Sequence, residues 1–356
     1  MLSIGWKALL SKHTASNKTS VTRFCRTLAT SSAPLDPNIT TLLRNRELSL
    51  EDAQNELRWI EQEARETVQR QAATIFGTSI PKKEDVEAFK GLEKGVVMGL
   101  VERRAQGEPL QYILGNVDFG PIQIICRSPT LIPRSETAHI FTRLADQLIQ
   151  SASDRSRPLN LLDLCSGSGC VPLLLSHLLQ GHLHLGRGAE ISRKALSLAR
   201  ENAEALGIAN VSFAEMDIFS DTVDRDILQA MEGKKVSILT ANPPYISQKE
   251  WEALPDSVRR YEDSKALLGD LDGKGDGRGL AFYRRMADLL PDLLASEADM
   301  QEAGWAGVTR VVLEIGESQA KDVEEIISRV SGGLIVRTEV WQDQYGKDRA
   351  VVGWTV

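Results

Sequence analysis

The spacing of apolar residues changes along this 356-residue chain, and the changes divide it. Between residues 36 and 112 the apolar positions fall at helical spacing. Ala53, Leu57, Ile60 and Ala64 recur every three or four residues with charges between them. Ser49 followed by Asp52 resembles a capping box with Asp in place of Glu. Pro81 breaks the pattern, and Val86, Phe89, Val96, Val97, Leu100 and Val101 then predict a helix ending near Gly107. Strand signals are scarce here, so a small helical domain is expected, suited to structure or partner binding rather than to catalysis. Apolar positions then alternate across Gly107–Gly120, and Gly120-Pro121 marks a turn. Segment 113–135 is therefore expected to be a β-hairpin connector.

From residue 136 to 356, helical and strand patterns alternate. A helix is predicted over 137–151, and a polar, linker-like stretch follows at 151–158. Strands are predicted over 159–164, 183–188, 211–219, 236–240 and 308–316, with helices over 171–179, 194–206, 280–295 and 320–330. Two last strands, 337–341 and 350–356, flank a polar turn. Strand–helix alternation of this kind predicts an α/β domain built on a doubly wound, mostly parallel sheet. The second strand, Leu183-His184-Leu185-Gly186-Arg187-Gly188, is poor in β formers.

In such sheets ligands bind beyond the carboxyl ends of the strands, and each end here carries a polar group. The first strand runs into Asp163-Leu164-Cys165-Ser166-Gly167-Ser168-Gly169 and then a helix. Glycines admit a ligand close to the backbone, and the helix N-terminus offers free N–H groups. This spacing, without a third dinucleotide-type glycine, fits an adenosyl amino acid better than a pyrophosphate, and Asp163 can accept from an ammonium group. Glu190 ends the second strand, where nucleotide-binding units hold ribose hydroxyls. Asp217 and Ile218 leave the third strand, where an acid can accept from an adenine amino group and an apolar side chain can pack on the ring. The fourth strand exits through Asn242-Pro243-Pro244-Tyr245. Asn offers a carbonyl acceptor and an NH2 donor, so it can pair with a planar amide or amino group. The prolines fix the backbone and remove its N–H groups, and Tyr245 adds a flat face. Taken alone, the tetrapeptide reads equally well as a Pro-rich turn.

Charge sharpens the ends of the chain. Residues 1–35 hold no Asp or Glu but carry Lys7, Lys12, Lys18, Arg23 and Arg26 among many Ser and Thr. Such a composition is expected of a mitochondrial transit peptide, with a disordered basic tail as the alternative. The whole chain carries −7; without those five cations the remainder carries −12, which argues against non-specific nucleic-acid binding. No apolar run approaches the ~18 residues that span a bilayer. The four cysteines, Cys25, Cys126, Cys165 and Cys170, form no C-x-x-C pair, and His182 and His184 lack a carboxylate placed to complete a site, so no metal is expected. Arg134 and Glu136 flank Ser135 beside Pro133; they are candidates for contacting a substrate, or an ordinary surface pair.

G-E-P-L-Q-Y-I-L-G, L-I-P-R-S-E-T, L-D-L-C-S-G-S-G, A-E-I-S-R-K-A-L, N-P-P-Y-I, A-L-L-G, L-E-I-G-E-S-Q and D-Q-Y-G-K-D-R occur in this order. Together they resemble the HemK/PrmC family of release-factor glutamine N5-methyltransferases, from about residue 100 to the C-terminus. The resemblance implies a seven-stranded Rossmann-like methyltransferase fold, for which a late antiparallel strand pair is typical. It implies S-adenosyl-L-methionine as donor and the glutamine of a release factor's Gly-Gly-Gln loop as acceptor. Cys165, Ser166, Gly167, Ser168 and Gly169 would line the donor, and Glu190 would hold its ribose, although the family more often has Asp there. Asn242, Pro243, Pro244 and Tyr245 would bind the glutamine amide, with Arg134 and Glu136 near the substrate. With the basic N-terminus, a monomer of the mitochondrial matrix is expected, bound to neither nucleic acid nor membrane. Ile218 stands where some members have an aromatic residue, Ser135 replaces the usual Pro, and Leu271–Arg278 enlarges a loop.

An amide nitrogen is a poor nucleophile, so the expected catalysis is positioning. The Asn242 side-chain oxygen and the Pro243 carbonyl would accept the two amide hydrogens. The rival function is adenine N6-methylation of nucleic acid, since an exocyclic amino group fits the same clamp. It would require a basic groove and base-stacking aromatics, which an acidic body does not suggest. A non-catalytic release-factor or ribosome-binding module is a third alternative, against which the donor loop and N-P-P-Y both argue.

Overall fold

A computed structural model describes residues 34–76, 83–152, 156–270 and 275–355. The basic stretch up to residue 33, Pro81, and residues 271–274 of the enlarged loop lie outside the described residues. The chain forms two compact units, divided between Gly107 and Glu108.

The first unit is helical: Pro37–Leu42, Leu50–Phe76 and Lys83–Ala105. Asp52 N donates to Ser49 Oγ at 3.1 Å, and Ser49 N to Asp52 Oδ2 at 3.1 Å, so the two residues cap the long helix reciprocally. Ala53, Leu57, Ile60 and Ala64 are buried on one face, Val97 and Val101 of the last helix are buried too, and the two long helices pack together. A buried ion pair, Arg104 Nε to Glu56 Oε2 at 2.6 Å, ties those helices together.

The second unit begins with a short helix, Leu110–Leu114, where alternation had suggested extended chain. Left-handed Gly115 (φ 77°) ends it. The hairpin β1 (Asn116–Phe119) and β2 (Ile122–Ile125) follows, turning at Gly120-Pro121 as expected. The main sheet contains β3 (Leu159–Leu164), β4 (Leu183–Glu190), β5 (Val211–Glu215), β6 (Ile238–Ala241), β7 (Val311–Glu314), β8 (Arg337–Gln342) and β9 (Asp348–Trp354). Their spatial order is β5-β4-β3-β6-β7-β9-β8; β9 is antiparallel to both its neighbours and the other pairs are parallel. This is the expected doubly wound seven-stranded sheet with its late antiparallel pair.

Strand alternation divides the core between the two faces. Leu161, Ile238 and Val312 pack with Phe141, Leu144 and Leu174 of the helices Ser135–Ser151 and Cys170–Leu179. Leu162, Leu239, Val311 and Leu313 pack with Tyr283, Met286 and Leu290 of Ala281–Leu293 and with Ile327 of Ala320–Val330. The strand order reverses between β3 and β6, which puts the ligand crevice beyond their carboxyl ends.

β4 is strand over eight residues despite its glycines, and packing explains them. A Cβ on Gly188 would lie 2.4 Å from Phe213 Cδ1 and 2.6 Å from Ser166 Oγ; one on Gly186 would lie 2.9 Å from Val211 Cγ2. Gly188→Ala is therefore expected to destabilise the protein by about 1–3 kcal/mol through overpacking. Thermal melting checks this, and an unaltered Tm would contradict so close an approach.

Candidate active site

The loop after β3 turns by left-handed residues: Cys165 (φ 59°), Gly167 (φ 56°) and Gly169 (φ 79°). Cys165 pays conformational strain there that the glycines do not. A Cβ on Gly169 would meet Phe213 Cζ at 2.5 Å, so the loop lies directly on the β5 side chain. Gly169 caps the Cys170–Leu179 helix, which carries Pro172 in its first turn.

Two acids hold this loop. Asp163 is 1 % exposed. Its Oδ1 accepts from Thr240 Oγ1 at 2.6 Å and its Oδ2 from the Ser166 hydroxyl. Both oxygens thus serve the protein, so anchoring Ser166 comes before contacting an ammonium group. Burial raises its pKa to about 7, against the pull of the two hydroxyls. Glu190 Oε2 accepts from Gly167 N at 2.8 Å and Oε1 from Ser192 N at 2.8 Å. Burial raises this carboxyl also, against those backbone donors.

On the neighbouring strand, β6 runs into Asn242-Pro243-Pro244-Tyr245. The prolines are buried, while Asn242 and Tyr245 are half-buried. Asn242 Nδ2 donates to Thr137 Oγ1 at 3.4 Å, and among the described residues no donor reaches its Oδ1. Gln319 Nε2 donates to the Tyr245 carbonyl at 3.0 Å and to the Arg278 carbonyl at 2.8 Å, and its Oε1 accepts from Gly316 N at 2.9 Å. Ile246 is bracketed by the A-L-L-G segment: Ile246 N donates to Leu267 O at 2.8 Å, and Gly269 N to Ile246 O at 3.0 Å. The segment Tyr245-Ile246 is therefore held from both sides. Burial, with Glu314 nearby, raises the Tyr245 phenol above its usual value and keeps it neutral.

One cleft joins the two halves. Leu131, Pro133, Arg134, Thr137, Asp163, Cys165, Ser166, Gly167, Ser168, Cys170, Val171 and Asn242 line it. Of the expected site residues it gathers Arg134, Asp163, residues 165–168 and Asn242. Gly169, Glu190, Asp217, Ile218, Glu136 and the residues 243–245 are not among its lining. Asp217 is exposed at the end of β5, where its Oδ1 accepts from Phe219 N at 2.9 Å. Ile218 is buried in the core of the other sheet face, so the surface for a planar ring expected of it is not presented. Arg134 and Glu136 do not pair with each other. Arg134 Nη2 contacts both oxygens of buried Glu262 at 2.8 and 2.9 Å, while Glu136 Oε2 accepts from Ser135 Oγ at 3.0 Å. With Asp263 N donating to Pro129 O at 2.8 Å, this pins segment 128–134 beside the cleft.

Glu314, at the end of β7, was not singled out in the sequence. It is 2 % exposed, and burial pushes its pKa up to about 7 against the opposing pull of Thr137 and Arg349. Asp163 and Glu314 together set an expected pH dependence. Both folded values lie above the ordinary carboxylate values of 3.8 and 4.5, so the folded state binds more protons across that interval. Their contribution is fully favourable below the ordinary values and is lost as pH rises through about 7. The ligand-free protein should lose several degrees of Tm between mildly acidic and mildly basic buffer, and Asp163→Asn should flatten the slope. A rise in Tm over that range would refute the assignment.

Among the described residues no group of three or more His, Cys, Asp or Glu is placed to hold a metal ion, and no helix is long and apolar enough to cross a membrane. His182 packs edge-on against Trp305, and His184 lies 3.1 Å from Lys234 Nζ.

No family model matches the chain. Among curated proteins, the chain is 33% identical over 251 residues to the release factor glutamine methyltransferase of Bacillus subtilis, covering 70% of this chain and 77% of that protein. It is 34% identical over 261 residues to the release factor glutamine methyltransferase of Geobacter sulfurreducens, covering 73% and 78%. It is 33% identical over 270 residues to the probable MRF1 mitochondrial N(5)-glutamine methyltransferase mtq1 of Schizosaccharomyces pombe, covering 74% and 80%.

Proposed function

The chain belongs to the release factor glutamine methyltransferase family, and from this we propose that it methylates the side-chain amide N5 of the glutamine in the Gly-Gly-Gln loop of a mitochondrial peptide-chain release factor. One observation carries the reading. The cleft is lined both by the left-handed glycine loop after β3 and by Asn242 after β6, whose amide oxygen meets no donor among the described residues.

The methyl donor is S-adenosyl-L-methionine. Fit to this group is tested by the loop itself: positive φ at Cys165, Gly167 and Gly169 turns it sharply beside the cleft, and the carboxyls of Asp163 and Glu190 hold it in that shape. Ser166 to Gly169 and Cys165 would hold its amino-acid end, Glu190 its ribose and Asp217 its adenine amino group. When bound, it supplies a methyl group on a sulfonium sulfur, which is activated without metal or covalent nucleophile.

The acceptor half is the chain's own work. The Asn242 oxygen and the Pro243 carbonyl accept the two amide hydrogens of the substrate. Tyr245, kept neutral by burial, offers an apolar ring against which the amide plane can rest. Positioning removes the rotational freedom of the amide and faces its nitrogen toward the donor side of the cleft. As the nitrogen acquires the methyl group it becomes positive and strongly acidic, and the carbonyl acceptors stabilise that charge before the proton leaves to solvent. Arg134, held by Glu262, lines the cleft, and it is proposed with Glu136 to contact the rest of the substrate loop. The helical unit is proposed to bind the remainder of the release factor. The basic residues 1–35 are proposed as the transit peptide and the mature protein as a monomer in the mitochondrial matrix.

Labelled donor incubated with a Gly-Gly-Gln release factor, or with DNA, tests the reading. Label on the glutamine supports it, and label on DNA alone reverses it in favour of adenine methylation.

A further inference from the structure

The helix that follows β4, Arg193–Ala205, buries one amide on an otherwise apolar face. Asn202 is 1 % exposed and shares that face with buried Leu198, Ala199 and Ala203. It joins two segments that lie far apart in the chain. Its Oδ1 accepts from Ile125 N at 2.7 Å and its Nδ2 donates to Ile125 O at 3.3 Å, so the amide pairs with both backbone groups at the end of β2. Nδ2 also donates to the Ser168 carbonyl of the glycine loop, at 3.0 Å. Both ends of the amide are thereby engaged, and only this orientation matches one N–H and two carbonyls.

The contact with Ser168 completes a series of anchors along the loop. The Ser166 hydroxyl is held by Asp163 of β3, Gly167 N by Glu190 of β4, and Ser168 O by Asn202. Asp163 and Glu190 belong to the sheet itself. Asn202 is the one of the three that also holds the hairpin. The hairpin exit then runs through Cys126 and Arg127 into segment 128–134, whose Leu131, Pro133 and Arg134 line the same cleft as Ser168. Beside Asn202, Glu201 pairs with Arg127 at 2.8 and 3.0 Å, but that pair is exposed and joins only the hairpin exit to the helix. Packing on this face is served elsewhere by Leu and Ala. An amide at position 202 is explained by the buried backbone groups it satisfies.

We propose that Asn202 is a positioning residue for the methyl donor, locking the glycine loop to the hairpin so that donor binding and the hairpin exit are coupled. The inference depends on the donor and not on which acceptor is methylated. Coupling between two places is reciprocal. Asn202 keeps Ser168 in the shape that receives the donor, and a donor seated on the loop tightens the hold of Asn202 on Ile125.

Two measurements test this, both on the full chain with S-adenosyl-L-methionine and no acceptor. In the first, backbone hydrogen exchange is followed with and without the donor. Saturating donor should slow exchange of the Ile125 N–H several-fold in the wild type. It should leave that exchange unchanged in Asn202→Asp, which keeps an acceptor for Ile125 N and removes both donors. In the second, donor affinity is measured by calorimetric titration. Asn202→Asp should weaken it about tenfold, the scale of one or two hydrogen bonds. Arg127→Ala frees the hairpin exit from Glu201 without touching Ser168 and should stay within twofold of wild type. Asn202→Ala, with the same expected losses, replaces Asn202→Asp if that variant does not fold, and the wild-type exchange needs no variant. A merely structural Asn202 would lower Tm and leave donor affinity at the wild-type value, which overturns the proposal. So does a wild-type Ile125 N–H that ignores the donor, or an equal loss of affinity in Arg127→Ala. Neither measurement involves a release factor, so failure of the glutamine-methylation reading leaves the test intact.

Discussion

Asn242→Ala is expected to reduce kcat for glutamine methylation by about 10²- to 10³-fold, the usual consequence of removing one preorganised polar group at a reacting centre. The substitution deletes the side-chain amide that lines the cleft and keeps the backbone between Ala241 and Pro243. Pro243 still offers its carbonyl, so one of the two amide hydrogens remains held. The substrate amide can then rotate about that single contact, and its nitrogen spends little time facing the donor. Donor affinity should stay within a few-fold of wild type, because the glycine loop is organised by Asp163 and Glu190, not by Asn242. The measurement is single-turnover transfer of labelled methyl to a release factor, beside calorimetric titration of the donor. Unchanged turnover in this variant would dispose of the amide clamp. A parallel collapse of donor binding would instead show that Asn242 belongs mainly to the donor half.

The strand ends that carry the site were legible in the sequence because each is marked locally. Glycines mark the β3 loop, prolines the β6 exit, and a lone acid the end of β4. Such marks survive without knowledge of the fold, since their backbone demands are their own. The groups missed are those whose meaning depends on a distant partner. Thr137 reads as an ordinary helix-start residue until it meets Asn242, 105 positions away. Gln319 lies in a quoted motif, yet nothing in its neighbourhood announces that it holds the Tyr245 carbonyl 74 positions back. Glu314 follows Val311-Val312-Leu313 and reads as the polar end of a buried strand. Leu110–Leu114 was misread for a different reason. Its apolar positions suit one helical turn as well as an alternating strand, and packing of Leu110, Tyr112 and Ile113 decides between them. Ile218 was assigned by its place after β5, but the side chain turns into the core.

Gly279→Ala is expected to lower kcat about 100-fold while sparing the donor loop, because it displaces the acceptor segment from behind. Gly279 adopts φ +71°, and a Cβ there would lie 2.1 Å from the Tyr245 carbonyl oxygen. That neighbour is backbone, so it cannot swing aside as a side chain would. The same carbonyl is held by Gln319, whose amide also holds the Arg278 carbonyl and the Gly316 N–H. Relief must come from moving residues 242–245, from breaking the Gln319 contacts, or from pulling Gly279 off Gly269, whose own Cβ position lies 2.7 Å from Gly279 Cα. The first two routes shift Tyr245 relative to Asn242, and a misplacement of about 1 Å can cost about 10²-fold in rate. Gly277→Ala supplies the control. Gly277 has φ +80°, but among the described residues nothing lies within 4 Å of its Cβ position, so it shares the backbone strain without that collision. Its kcat should remain within a few-fold of wild type, with only a small fall in Tm. Equal losses in the two variants would mean that left-handed strain alone matters and that the contact between Gly279 and Tyr245 does not position the acceptor.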